Sequence, residues 1–127
     1  MKNPILPGFH PDPSIVKVDD DYYIATSTFE WYPGVCIYHS RNLSEWRLVA
    51  RPLSNLALLD MRGNPDSCGI WAPCLSYKKG TFFLAFTNVR RFAGDFKDTP
   101  NYITHADSIT GPWSEPVFVN SCAFDPS

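Results

Sequence analysis

The chain carries few residues arranged for chemistry, and the densest group is Gly8-Phe9-His10-Pro11-Asp12-Pro13-Ser14. One carboxylate, Asp12, stands between two prolines. Each proline fixes its own φ near −65° and disfavours the right-handed helical region for the residue before it. The rule predicts extended backbone at His10 and Asp12, and so a carboxylate with little freedom. Orientation prepared in this way is what a general base or nucleophile needs. By itself the stretch also reads as a rigid turn ahead of a strand. A second carboxylate before proline, Asp125-Pro126, closes the chain. Paired carboxylates facing one pocket are the equipment of glycoside hydrolysis.

The other reactive residue types support nothing comparable. Cys36, Cys68, Cys74 and Cys122 form no Cys-x-x-Cys pair and have no histidine at metal-ligand spacing, so they read as reduced, partly buried thiols. Asp19-Asp20-Asp21 reads as a hairpin turn rather than a calcium loop. Asp60 and Asp66 fall in an irregular connection. Glu30 sits among aromatics and reads as a structural hydrogen-bonding group. His10 reads as loop packing, and His39 and His105 as structural.

The elements that must position the carboxylates are short strands. Ser14–Val18 and Tyr22–Ser27 flank the Asp turn. Val35–Ser40 and Glu45–Val49 follow. After the long connection 51–69, Ile70–Tyr77, Thr81–Thr87, Tyr102–Ala106 and Trp113–Val119 continue the pattern. The second group repeats the first. Asp12-Pro13-Ser14-Ile15-Val16 aligns with Ala72-Pro73-Cys74-Leu75-Ser76, His39 with His105, and Trp46 with Trp113. The first proline of the unit recurs at 13, 73 and 126, a period of about 53–60 residues. Repeats of four antiparallel strands at this period read as propeller blades: blade one about 12–60, blade two about 70–120, and a third beginning at 125. Trp46 and Trp113 are expected between neighbouring blades. Closure takes roughly four to eight blades, so the chain is expected to be the N-terminal portion of something larger.

In a propeller the first strand of each blade lines the central channel, which brings Asp12, Ala72 and Asp125 to one mouth. Phe29, Trp71 and Phe124 lie beside those positions and could wall a sugar site with flat rings.

Composition sets outer limits. The chain has 127 residues, 44% of them hydrophobic and 15% aromatic, enough for an ordinary core with aromatic surplus. A net charge of −2 gives no electrostatic grip on nucleic acid or an anionic membrane. No apolar run approaches the ~20 residues that span a bilayer. No apolar segment follows Met1-Lys2-Asn3-Pro4, and a cytoplasmic protein is expected.

The run from Asn3 to Val16, then Asp21 to Trp31, Gly69-Ile70-Trp71-Ala72-Pro73 and Gly111-Pro112-Trp113-Ser114 resembles the β-xylosidases of glycoside hydrolase family 43. The resemblance covers nearly the whole chain. It implies an all-β, five-bladed β-propeller, of which this chain is about two blades and the start of a third, usually followed by a C-terminal β-sandwich. It implies an inverting exo-1,4-β-xylosidase acting on xylo-oligosaccharides. An α-L-arabinofuranosidase or arabinanase on the same scaffold, or a non-catalytic carbohydrate-binding module, are the alternatives. Asp12 matches the general base, and Asp125 the carboxylate that orients the general acid and raises its pKa. Phe29, Trp71, Ala72 and Phe124 match positions lining the xylose site. The general acid is a glutamate in a later blade, so this stretch alone is expected to be inactive. Cys74 stands where related sequences carry an acid, and Pro126 where the xylosidases often carry a small residue. No cofactor is implied. Calcium occupies the channel in some relatives, but no dedicated ligand set is visible here. The resemblance leaves a homo-oligomer open.

Overall fold

A computed structural model describes residues 3–126. The Met1-Lys2 start and Ser127 at the opening of the third unit lie outside the described residues. All regular elements among the described residues are strands, and no helix there is long and apolar enough to cross a membrane. Strands β1 (Ser14–Val18), β2 (Asp21–Ser27), β3 (Val35–Ser40) and β4 (Arg47–Ala50) form one antiparallel sheet in that order. Strands β5 (Gly69–Lys78), β6 (Thr81–Val89), β7 (Asn101–Ala106) and β8 (Val117–Asn120) form a second with the same order.

The two sheets share a register. Ser14 pairs with Ala25 as Cys74 pairs with Ala85, and Val18 pairs with Asp21 as Lys78 pairs with Thr81. The repeat legible in the sequence is therefore a repeat in space. The turn of the first hairpin is tighter than the three aspartates suggest, because Asp21 already belongs to β2. The outer strands start later than expected. Glu45 is taken up by an Asn42 turn, whose Oδ1 accepts the N–H groups of Ser44 and Glu45. In blade 2, Pro116 has no N–H to donate and delays the pairing to Val117.

The blades pack face to face. Ala25, Val35 and Ile37 of the first sheet share one buried cluster with Leu75, Phe82, Leu84 and Phe86 of the second. Leu53 and Leu59, from the connection, fill the same core. Burying each of the Val, Ile, Leu and Phe side chains contributes roughly 1.5–3 kcal/mol. At the inner edge, the Leu75 N–H donates to Ser14 Oγ at 2.9 Å, tying β5 to β1.

The paired tryptophans divide. Trp113 packs against the shared core. Trp46 is not part of that cluster; it lines a hollow of about 570 Å³ on the outer strands of the first sheet. Both indoles donate to a carbonyl of the preceding turn, Leu43 and Ile109, so local geometry is conserved while packing is not. Trp113 has a preceding blade to lie against, and Trp46 has none within this chain.

Candidate active site at the strand openings

The three unit starts share an unusual backbone. Asp12 has φ 51°, Ala72 φ 35° and Asp125 φ 59°, all left-handed, and all before proline. The extended conformation expected at Asp12 is therefore wrong. Proline removes the right-handed helical well, and contacts distant in sequence select among the wells left. The Ser27 N–H donates to Pro11 O at 3.1 Å, drawing the loop onto the end of β2. An L-residue in this region is costly and is held only by surrounding structure. In blade 2 the corresponding residues fall in a break of register between Trp71 and Cys74, where Pro73 cannot join the ladder.

The aromatic positions are stitched together through Ser27 and Phe29. Phe29 is also left-handed, with φ 51°. Its N–H donates to Ser27 Oγ at 2.9 Å, and its carbonyl accepts the Ile70 N–H at 3.1 Å. Ser27 Oγ donates to Ile70 O at 2.6 Å. Gly69 makes this junction possible. A Cβ there would lie 2.3 Å from Phe29 O, and φ is +86°. Only glycine allows backbone to approach backbone so closely at that dihedral.

Trp71 follows directly. Its ring centroid lies 6.4 Å from Phe29 and 5.6 Å from Phe124, the latter edge-on at 89°. Trp71 Nε1 donates to Ser67 O at 2.9 Å, fixing the indole. Two rings not anticipated from the sequence join the row. Phe92 sits 4.9 Å from Trp71 and 5.3 Å from Phe124, and Phe9 sits 5.5 Å from Phe29. Phe9 lay inside the proline motif and could have been suspected. Phe92 lies in a polar loop with no periodic signal. Trp71, Cys68 and Phe92 border a mainly apolar hollow of about 660 Å³.

Asp125 lies within reach of the Asp12 charge. Desolvation first, and the Asp12 carboxylate second, push the Asp125 pKa above its ordinary value. Side chains far apart in sequence thus converge with Phe29, Trp71 and Phe124 in one neighbourhood. Ala72 brings a methyl group to the unit start where the other two units carry acids. His39 pairs with Asp21, Nε2 to Oδ1 at 2.6 Å, away from the strand openings.

Two carboxylates within electrostatic reach, beside a row of flat rings, can bind a sugar ring and polarise a water against it. Among the described residues no group of three or more His, Cys, Asp or Glu side chains could hold a metal ion.

An array of repeated four-stranded sheets with acids and aromatic rings at the strand openings defines a propeller of the glycosidase class. The family model for glycosyl hydrolases family 43 matches residues 1–127, and the chain belongs to that family. Its fold is the five-bladed β-propeller, of which it forms two blades and the opening of a third. Xylosidase/arabinosidase 43B of Humicola insolens is 67% identical over 127 residues, which are all of this chain and 24% of that protein. A putative β-xylosidase of Escherichia coli K12 is 58% identical over the same span, again 24% of its length. The crystal structure of xylan β-1,4-xylosidase from Bacillus halodurans C-125 superposes with a TM-score of 0.96 at 63% identity, covering 99% of this chain and 24% of that one. The chain thus spans about a quarter of the length of the relatives it matches.

Proposed function

We propose that this chain is the N-terminal part of an inverting exo-1,4-β-xylosidase that releases xylose from xylo-oligosaccharides. The observation that carries the reading is the Phe29–Trp71–Phe124 row at the left-handed unit starts, where desolvation and then the Asp12 charge raise the Asp125 pKa. Asp12 is the general base. Held on a left-handed backbone between two prolines, it draws a proton from the water that attacks the anomeric carbon. Asp125 is the modulator. Its negative charge disfavours ionisation of a neighbouring general acid, so that the acid stays protonated for the leaving oxygen. The acid itself is a glutamate supplied by a later blade. Inversion requires acid and base roughly 6.5–9.5 Å apart, with the water between base and sugar. Phe29, Trp71 and Phe124 pack on the apolar faces of the xylose ring. Ala72 leaves room where its two counterparts carry acids.

The name of the Humicola relative joins two activities, and this favours a second reading, an α-L-arabinofuranosidase on the same scaffold. The test is made on the complete enzyme with nitrophenyl β-xyloside and nitrophenyl α-arabinofuranoside, reading the anomer released by NMR. The α-anomer of xylose as first product is expected. Asp12→Asn should lose most turnover, on the order of a thousandfold or more, while xylose still binds. Near-normal turnover in that variant removes Asp12 from the mechanism. Preference for the arabinoside selects the second reading, and binding without hydrolysis by the wild type selects a carbohydrate-binding module.

A further inference from the structure

In both blades the last residue of the second strand to pair with the third carries a hydroxyl, Ser27 opposite Val35 and Thr87 opposite Asn101, and both side chains are fully buried. A buried hydroxyl needs partners for its proton and its lone pairs. Ser27 finds them at the opening of the second unit, as described above. Thr87 finds them at the opening of the third. Its Oγ1 donates to Asn101 Oδ1 at 2.5 Å and accepts the Asp125 N–H at 3.2 Å.

Asn101 extends the arrangement. Its Nδ2 donates to Asn120 Oδ1 at 2.9 Å and to Ala123 O at 2.8 Å. Both amide hydrogens and the amide oxygen are therefore engaged, and the residue is buried. The register partner of Ser27 in blade 1 is Val35, where Thr87 has Asn101. A valine completes the strand there, so the strand does not require an amide. What the amide adds is a grip on 120–125, the segment that delivers Asp125.

We propose that Thr87 and Asn101 are positioning residues for Asp125. They hold the left-handed turn at 125 so that its carboxylate stays beside Asp12 and directs its charge at the general acid. The action on the acid rests on the glycosidase reading, whereas the placement of Asp125 does not. Among the described residues Asp12 is the titratable group that acts on Asp125.

The test uses the complete enzyme with Thr87→Val, Thr87→Ser and Asn101→Val. The last installs the residue that blade 1 carries at this position and keeps the strand foldable if Thr87→Val does not fold. Two readouts are taken: the pH profile of kcat/KM, and the titration of the Asp125 carboxyl by 13C NMR. Thr87→Val and Asn101→Val should lower kcat/KM on the order of tenfold to a hundredfold, as misplacement of a catalytic-site group does. Their alkaline limb should move to lower pH, because an acid with less negative charge beside it loses its proton earlier. The Asp125 titration should fall toward the ordinary carboxylate range as the group leaves its partly desolvated place beside Asp12. Thr87→Ser keeps the hydroxyl and should retain the wild-type behaviour. Folded Thr87→Val or Asn101→Val with unchanged profile and unchanged Asp125 titration overturns the proposal. An inactive wild type in which the valine variants still move the Asp125 titration upholds the positioning and removes the glycosidase reading.

Discussion

Blade 1 and blade 2 share strand order, register and hairpin geometry, yet equivalent residues meet different fates. Leu75 of β5 is 4% exposed, and its counterpart Ile15 of β1 is 58% exposed. On the opposite faces the asymmetry reverses: Ile37 of β3 is fully buried, while its counterpart Ile103 of β7 is 36% exposed. The residue types match, so the difference comes from the neighbour. Leu75 has blade 1 behind it and Ile37 has blade 2 in front. Each sheet is apolar on both faces, the mark of a unit that cannot bury itself and must be stacked.

A second difference lies at the open end of the β2–β3 hairpin in blade 1 and its counterpart in blade 2. In blade 1, Asp21 is gripped by Arg41 Nε at 2.9 Å and by His39. In blade 2 the position of Asp21 is Thr81, which donates to Asp107 at 3.2 Å, so the acid has moved to the bend after β7. The geometry of the hairpin survives the exchange, and the charge pairing is local ornament to it.

The widest break in the pairing of the blades should come from Gly69→Ala. A Cβ at 2.3 Å from Phe29 O, on a positive φ, forces apart the junction between β2 and β5. Roughly 3–6 kcal/mol of destabilisation is expected from the clash and the dihedral together, read by urea unfolding. Next in size, Leu75→Ala should cost about 3 kcal/mol in this chain, and Ile15→Ala less than about 1 kcal/mol. Equal costs for the two would mean that the open face of blade 1 is already covered. In the complete enzyme the Ile15→Ala cost should rise toward that of Leu75→Ala.

The pH dependence sharpens the Asp21–Thr81 difference. Hydrogen bonds from Arg41 and then His39 hold the Asp21 pKa below its ordinary 3.8. A carboxylate depressed in the folded state adds stability above its unfolded pKa, and that stability is lost as pH falls through the folded value. Thermal melts from about pH 5 to pH 2 should therefore fall more steeply for the wild type than for Asp21→Asn. Asp60, lowered to about 2 by Arg62, titrates in both proteins and cancels in the comparison. A parallel pair of curves would leave Asp21 without a net role. The smallest effect belongs to Thr81→Val, where one exposed hydrogen bond is lost and less than about 1 kcal/mol should change.

Much of the fold was legible from local rules. Alternating β-branched and aromatic runs gave the eight strands, with the outer pair misplaced by the Asn42 turn and by Pro116. Spacing of the prolines gave the repeat. The site was legible in its parts: Asp12, Trp71 and Asp125 stood out by motif and repeat position. Phe92 did not, because nothing in Arg90-Arg91-Phe92 distinguishes a ring that meets Trp71 from one that faces water. Thr87 looked like an ordinary strand residue and Asn101 fell just before the expected strand Tyr102–Ala106, since a hydroxyl and an amide declare their partners only when the chain has folded.

By itself the sequence determined the units, their order and the residues that open them, because strand periodicity and proline restriction act between near neighbours. Only the tertiary structure decided that 12, 72 and 125 are left-handed, that Trp113 is packed while Trp46 is not, and that five rings line up beside the two acids. Those outcomes depend on contacts between residues tens of positions apart, such as Pro11 with Ser27 or Thr87 with Asp125, and local preference carries no information about them.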